Sequence, residues 1–202
     1  MGIGAAIFFD GRLYTGNDGL AGELGHVSVH ENGKLCSCGN RGCLELYSSG
    51  SAIIKRVWEE LEQGVTSSLA SEAGAIPDQL SVEQIAAAAQ ANDRLAERIL
   101  SEAGGYIGAA LATVVNLLNP ERIVLSGKVP QAAQKVLLDS LLYSLRHRAL
   151  AQSTSNLDVT VSQFGDDAAA VGVVLIAGEE VLELRCRAMD WKLSPAPREI
   201  KE

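Results

Sequence analysis

Residues 22–45, GELGHVSVHENGKLCSCGNRGCLE, hold two of the chain's three histidines and three of its four cysteines. The order His26-x9-Cys36-x-Cys38-x4-Cys43 supplies one imidazole and three thiolates. That donor set suits tetrahedral Zn2+, and thiolates select soft or borderline metals over Mg2+ or Ca2+. Gly39 and Gly42 stand between the thiolates, where the backbone has to turn tightly. Four protein ligands leave no position for a reactive water, so the zinc would be structural and would staple a loop that lacks a core. His30, four residues beyond His26, is the second-ranked imidazole. The competing reading is of ordinary buried thiols beside an unrelated histidine. Cys186 stands alone and reads as an inert thiol.

Glu23 and Glu45 flank the cluster. Carboxylates on a rigid loop accept the hydroxyl protons of a polyol, and Gly19, Gly22 and Gly25 would let backbone approach such a ligand closely. The plainer reading is of solvated charges, or of carboxylates favoured by a helix N-terminus.

The elements around this stretch follow from periodicity and caps. Ile7, Phe8 and Phe9 read as a strand, Asp10-Gly11 as a turn, and Arg12 to Thr15 as the return of a hairpin. The strand begins so near residue 1 that the chain is expected to be part of a longer protein. Residues 16–43 have no sustained period, and loops of this length are usually functional. A helix is expected from about Leu44 to Glu62, then a small, polar connection over 64–80. Ser81 and Gln84 have capping-box spacing at the head of another helix. Leu95, Ile99, Tyr106, Ile107, Ala110, Leu111, Val114, Val115 and Leu118 share a helical period that stops at Pro120. The second half of that helix is apolar nearly all round, which predicts burial, with Gly104, Gly105 and Gly108 permitting close packing. Residues 122–126, RIVLS, read as a buried strand before Gly127. A helix from about Gln131 to Leu150, an alternating strand over 157–163, and a helix capped by Asp166 or Asp167 and reaching about Leu184 complete an α/β alternation with a mostly parallel C-terminal part. Residues 185–202 read as a flexible tail.

Composition narrows the function. Lys and Arg number 17 against 25 Asp and Glu, a net charge of −8. No run of Lys or Arg exceeds two residues, which argues against a duplex-binding surface within these 202 residues. No apolar run reaches the ~18 residues of a membrane span, and no secretion signal is evident. A cytoplasmic, reducing setting is the expectation, and clustered cysteines there point to metal before disulfide.

The stretch GIGAAIFFDGRLYTGNDGLAGELGHVSVHENGKLCSCGNRGCLELYSSGSAI closely resembles the signature of the ROK family, which groups sugar-responsive repressors with sugar kinases. The pattern continues in LLNPERIVLSG and in FGDDAAAVGVVLIAGEEVL, so the resemblance spans residues 2 to about 184. It implies the actin-like ATPase (ribonuclease H-like) fold, here a C-terminal lobe over 1–184 with an inserted zinc knuckle and without the N-terminal lobe. It also implies that His26, Cys36, Cys38 and Cys43 are the zinc ligands. Glu23, His26 and Glu45 would contact sugar hydroxyls, placing the sugar loop within 16–45, with His26 giving one ring nitrogen to zinc and the other to sugar.

GIGAA resembles the family's second phosphate loop, in which Gly2 and Gly4 would turn backbone N–H groups toward phosphate. Ala6 stands where a glycine is frequent. After RIVLS the family's kinases carry successive glycines against adenosine, whereas this chain has Ser126-Gly127-Lys128. These departures favour the repressor branch: a sugar-sensing, oligomerising lobe that binds a sugar or sugar phosphate, forms homodimers or homotetramers, and meets DNA only through a segment outside this chain. The alternative is the C-terminal half of a ROK sugar kinase, glucokinase-like and requiring ATP and Mg2+. A third is a structural remnant that binds no sugar. On any of these readings no catalytic base is assigned, and these residues alone are expected to be inactive as a kinase.

Overall fold

The computed structural model describes residues 2–71 and 80–188. They fall into two compact units, residues 1–162 and 163–202.

In the first unit the hairpin forms as its turn chemistry requires. Strand β1 (Ile7–Phe9) pairs antiparallel with β2 (Arg12–Tyr14), Ile7 opposite Tyr14. Asp10 and Gly11 both adopt positive φ, 52° and 76°, the two-residue turn that matches strand twist. The irregular stretch that follows ends in α1 (Glu45–Ser48) and α2 (Gly50–Glu62). These are two helices where one was expected. Ser49 is extended (φ −71°, ψ 156°), and its hydroxyl accepts the Ala52 N–H, so it ends one helix by capping the next.

Helix α3 (Val82–Gln90) opens with the full capping box: Gln84 N–H donates to the Ser81 hydroxyl, and Ser81 N–H donates to Gln84 Oε1. Asp93 caps α4 (Arg94–Leu118) by accepting from Leu95 and Ala96, and Asn119 ends it in a left-handed conformation just before Pro120. Strand β3 (Arg122–Leu125) leads into α5 (Lys128–Ala132) and α6 (Gln134–Arg148), which begin earlier than expected and are separated at Ala133. A short α7 (Ala151–Thr154) precedes β4 (Asp158–Val161), which pairs parallel with β3, Arg122 opposite Asp158.

The core sits where α4 meets α6. Leu137, Leu141 and Leu145 recur along α6 and are buried against α4, each contributing about 1.5–3 kcal/mol of apolar burial. Two of the three α4 glycines serve this contact. A Cβ on Gly104 would overlap the Leu137 carbonyl and the Ser140 hydroxyl, and one on Gly108 would overlap the Leu141 carbonyl. Gly105 faces open space, so close packing does not explain it within this chain. The end of α4 is also less buried than its apolar sequence predicts: Leu117 is 76% exposed. Strand β3 departs in the same direction. Val124 is 56% exposed on a strand whose sequence predicts burial.

In the second unit a 3-10 turn (Gly165–Asp167) leads into α8 (Ala168–Ala188). The helix runs through the first four residues assigned to a tail, and the remainder of that tail lies outside the described residues, as does the side chain of Cys186. Among the described residues no helix is long and apolar enough to cross a membrane.

Candidate functional site

The loop between the hairpin and α1 folds back on itself through glycine turns and two short bridges. Ser28 pairs with Cys43 and Leu35 with Arg41. Gly39 (φ 93°) closes the tight turn in which its N–H donates to Cys36 O at 3.0 Å. Gly42 (φ 70°) lies so close to His30 that a Cβ would overlap the His30 carbonyl. Sequence spacing placed glycine at both positions because a side chain there is excluded by backbone conformation, and at Gly42 by space as well.

These turns gather His26, Cys36, Cys38 and Cys43, whose ligand atoms all lie within 4.8 Å of one another. His26 Nδ1 is 3.7 Å from Cys36 Sγ, and Cys38 Sγ is 3.6 Å from Cys43 Sγ. A tetrahedral site with Zn–S bonds of about 2.3 Å has ligand–ligand edges near ~3.8 Å, so the spacing fits a shared ion. It does not fit a disulfide, whose S–S bond is about 2.05 Å. The thiols are free. Their electrostatics favour the same conclusion. The Cys38 backbone N–H does most to draw the Cys36 thiol down to about 6, against the pull of burial. Burial pushes Cys43 up to about 12, and the neighbouring sulfurs add to the shift. Crowded sulfurs resist sharing negative charge, and a divalent cation at their centre is what removes that resistance. The donor set therefore fits zinc. His30 does not join it: its ring lies parallel to Tyr47 with centroids 6.0 Å apart.

The cluster anchors the flanking acids. Cys43 precedes α1 by two residues, and Glu45 opens that helix. The far end of α1 is tied to the core, because the buried Ser48 hydroxyl donates to Ala103 O at 2.9 Å. Glu23 lies at the start of the 3-10 turn Leu24–His26, its Oε2 3.8 Å from His26 Nε2. The two nitrogens of His26 thus face different groups, Nδ1 the thiols and Nε2 the Glu23 carboxylate. Glu45 faces the other end of the chain: its Oε2 accepts the Ile3 N–H at 3.1 Å.

That contact changes the picture of the Gly-x-Gly stretch. Gly2 packs against the Glu45 carboxylate, and the Ile3 N–H between the two glycines is already taken by it. Gly4 faces open space. Gly127 (φ 106°) also faces open space at the head of α5, followed by an exposed Lys128.

Sequence reasoning missed an open cavity of about 480 Å³ beside Glu45, walled by His30, Lys34, Tyr47 and Tyr106. Tyr47 and Tyr106 come together there with centroids 4.8 Å apart, and the Lys34 N–H donates to the Tyr47 hydroxyl at 3.1 Å. Tyr47 lies on the half-turn after Glu45, a position with no local signal beyond its aromatic ring.

The mixed α/β lobe that carries this Cys3His cluster superposes on ROK family sugar kinases, which places it in the actin-like sugar-kinase fold. The ROK family model covers residues 1–180, and the chain belongs to the ROK family. It is 34% identical over 181 residues to the DNA-binding transcriptional dual regulator NagC of Escherichia coli K12, spanning 90% of this chain but 43% of that protein. The chain thus spans less than half the length of this curated relative. Among solved structures it superposes with a TM-score of 0.72 on a ROK family transcriptional regulator described as a homologue of E. coli Mlc, at 39% identity over 79% of this chain and 39% of that one. It superposes with a TM-score of 0.73 on a ROK family glucokinase from Streptomyces griseus in complex with glucose and AMPPNP, at 28% identity over 85% of this chain and 55% of that one.

Proposed function

We propose that this chain is the sugar-sensing, oligomerising portion of a ROK transcriptional regulator. A structural Zn2+ held by His26, Cys36, Cys38 and Cys43 staples the loop, and Glu23, His26 and Glu45 bind a sugar or sugar phosphate. The observation that carries this reading is the division of His26. With Nδ1 turned to the thiols and Nε2 to Glu23, zinc on one nitrogen would leave the other as an oriented hydrogen-bond group beside a carboxylate. The regulator branch is favoured by the 34% and 39% identities to regulators against 28% to the glucokinase. It is also favoured by Lys128 after Gly127 and by the Ile3 N–H being held by a carboxylate rather than free for phosphate. Sugar binding would shift the affinity of a homodimer or homotetramer for operator DNA in the cytoplasm, with none of these 202 residues assigned to the DNA itself.

The glucokinase superposition supports a second reading, a portion of an ATP- and Mg2+-dependent sugar kinase. Calorimetry of the zinc-loaded full-length protein with N-acetylglucosamine, glucose and xylose, beside a coupled assay with ATP and Mg2+ on that same protein, separates them, because these 202 residues alone are expected to be inactive on either reading. Saturable binding of one sugar, weakened about 10- to 100-fold in Glu23→Gln, with no phosphoryl transfer, is the expected result. Turnover that disappears in Glu23→Gln or Glu45→Gln would establish a kinase. Zinc-loaded protein that binds none of these sugars would be a structural remnant.

A further inference from the structure

The short extended stretch ahead of the hairpin touches both halves of the proposed sugar site. Ile3 N–H donates to Glu45 Oε2 at 3.1 Å. The Ile3 carbonyl packs on Gly25, which lies between Glu23 and His26, so closely that a Cβ there would overlap it. Ala5 N–H donates at 2.8 Å to the carbonyl of Gly22, the residue before Glu23. Gly22 (φ 94°) would in turn overlap the Ala5 carbonyl if it carried a side chain. Gly2 completes the set, since a Cβ on it would occupy the place of Glu45 Oε2.

We propose that Gly2 to Ala5 form a positioning brace that sets the separation between Glu45 and the Glu23–His26 turn. Glu23 and His26 are fixed to this stretch through Gly22 and Gly25, and Glu45 through the Ile3 N–H. Zinc alone does not accomplish this. A metal ion at the cluster would pin Cys43 and His26, but Glu45 hangs from α1 on a flexible side chain with three rotatable bonds. The Ile3 N–H selects one arrangement of that side chain, holding Oε2 and leaving Oε1 to accept from a ligand. Gly2 is required because the carboxylate lies against its α-carbon. The assignment rests on the sugar reading of Glu23, His26 and Glu45, and it makes Gly2 and Ile3 positioning residues of that site rather than a phosphate loop.

The test is a double-mutant cycle read two ways. Titrated with N-acetylglucosamine, glucose and xylose, Gly2→Ala should weaken the binding seen in the parent protein about tenfold while zinc content is unchanged, and in a Glu45→Ala background the same substitution should have no further effect. An equal penalty in both backgrounds would show that Gly2 acts elsewhere and overturn the brace. The second readout needs no sugar: hydrogen exchange of the Ile3 amide should be slow in the parent protein and fast in both Gly2→Ala and Glu45→Ala. Unchanged Ile3 exchange in both variants overturns the proposal outright. Exchange that tracks Glu45 in a protein that binds no sugar supports the brace and removes the sugar reading instead.

Discussion

The three glycines of α4 make the sharpest test of the packing, because the sequence treats them alike and the structure does not. An alanine in place of an exposed mid-helix glycine gains about 1 kcal/mol from reduced backbone entropy. Gly105→Ala should realise that gain, since its Cβ meets nothing within 4 Å. Gly108→Ala has the same gain to set against a Cβ that overlaps the Leu141 carbonyl and lies 2.9 Å from Ser144 Cβ. Backbone on a buried helix cannot swing aside as a flexible side chain can, and overpacking of this kind costs about 1–3 kcal/mol. The net for Gly108→Ala is a loss of up to about 2 kcal/mol by that arithmetic. At roughly 2–4 °C per kcal/mol for a chain of this size, Gly105→Ala should raise Tm by a few degrees and Gly108→Ala should lower it. Urea unfolding followed by far-UV circular dichroism gives the free energies directly. Equal shifts for the two variants, or a destabilising Gly105→Ala, would refute the packing argument. The second result would also place another molecule against that face.

Three further outcomes follow. Purified protein should carry about one zinc per chain by elemental analysis, and Cys43→Ser should lose it together with thermal stability, because metal binding is coupled to folding. Metal-free protein of undiminished stability would end that assignment. The Asp93 carboxyl is raised by burial, but the Ala96 and Ser68 N–H groups and the Ser67 and Ser68 hydroxyls outweigh that and hold it at about 2 against an ordinary 3.8. A depressed folded pKa means a contribution that is full above 3.8 and lost as pH falls toward 2, so the stability gap between wild type and Asp93→Asn should close over that window in acid titrations. Sedimentation equilibrium should show a homodimer or homotetramer, and a monomer at every concentration would contradict the oligomeric reading.

Local signals of one or two residues translated faithfully into structure. Asp10-Gly11 made the hairpin turn, Ser81 and Gln84 made the capping box, and the spacing of His26, Cys36, Cys38 and Cys43 brought four candidate ligand atoms to one point. The turn and the capping box depend on hydrogen bonds over a few residues, and the cluster on glycine turns within one loop, so local sequence carries most of the cause. Ser49 shows the limit of that reasoning: one helix was expected across it, yet its own cap breaks the helix. Burial was less legible. Val124 and Leu117 are as apolar as any core residue, but exposure depends on what covers them, and periodicity is silent about the covering element. The same holds for the choice between Gly104 and Gly105, which the sequence cannot distinguish and the approach of α6 decides. The site divides along the same line. Residue types and spacing gathered the Cys3His cluster, while the pairing of Ile3 with Glu45 and of Tyr47 with Tyr106 joins positions 42 and 59 residues apart. No local pattern encodes such contacts; only the folded chain brings them together.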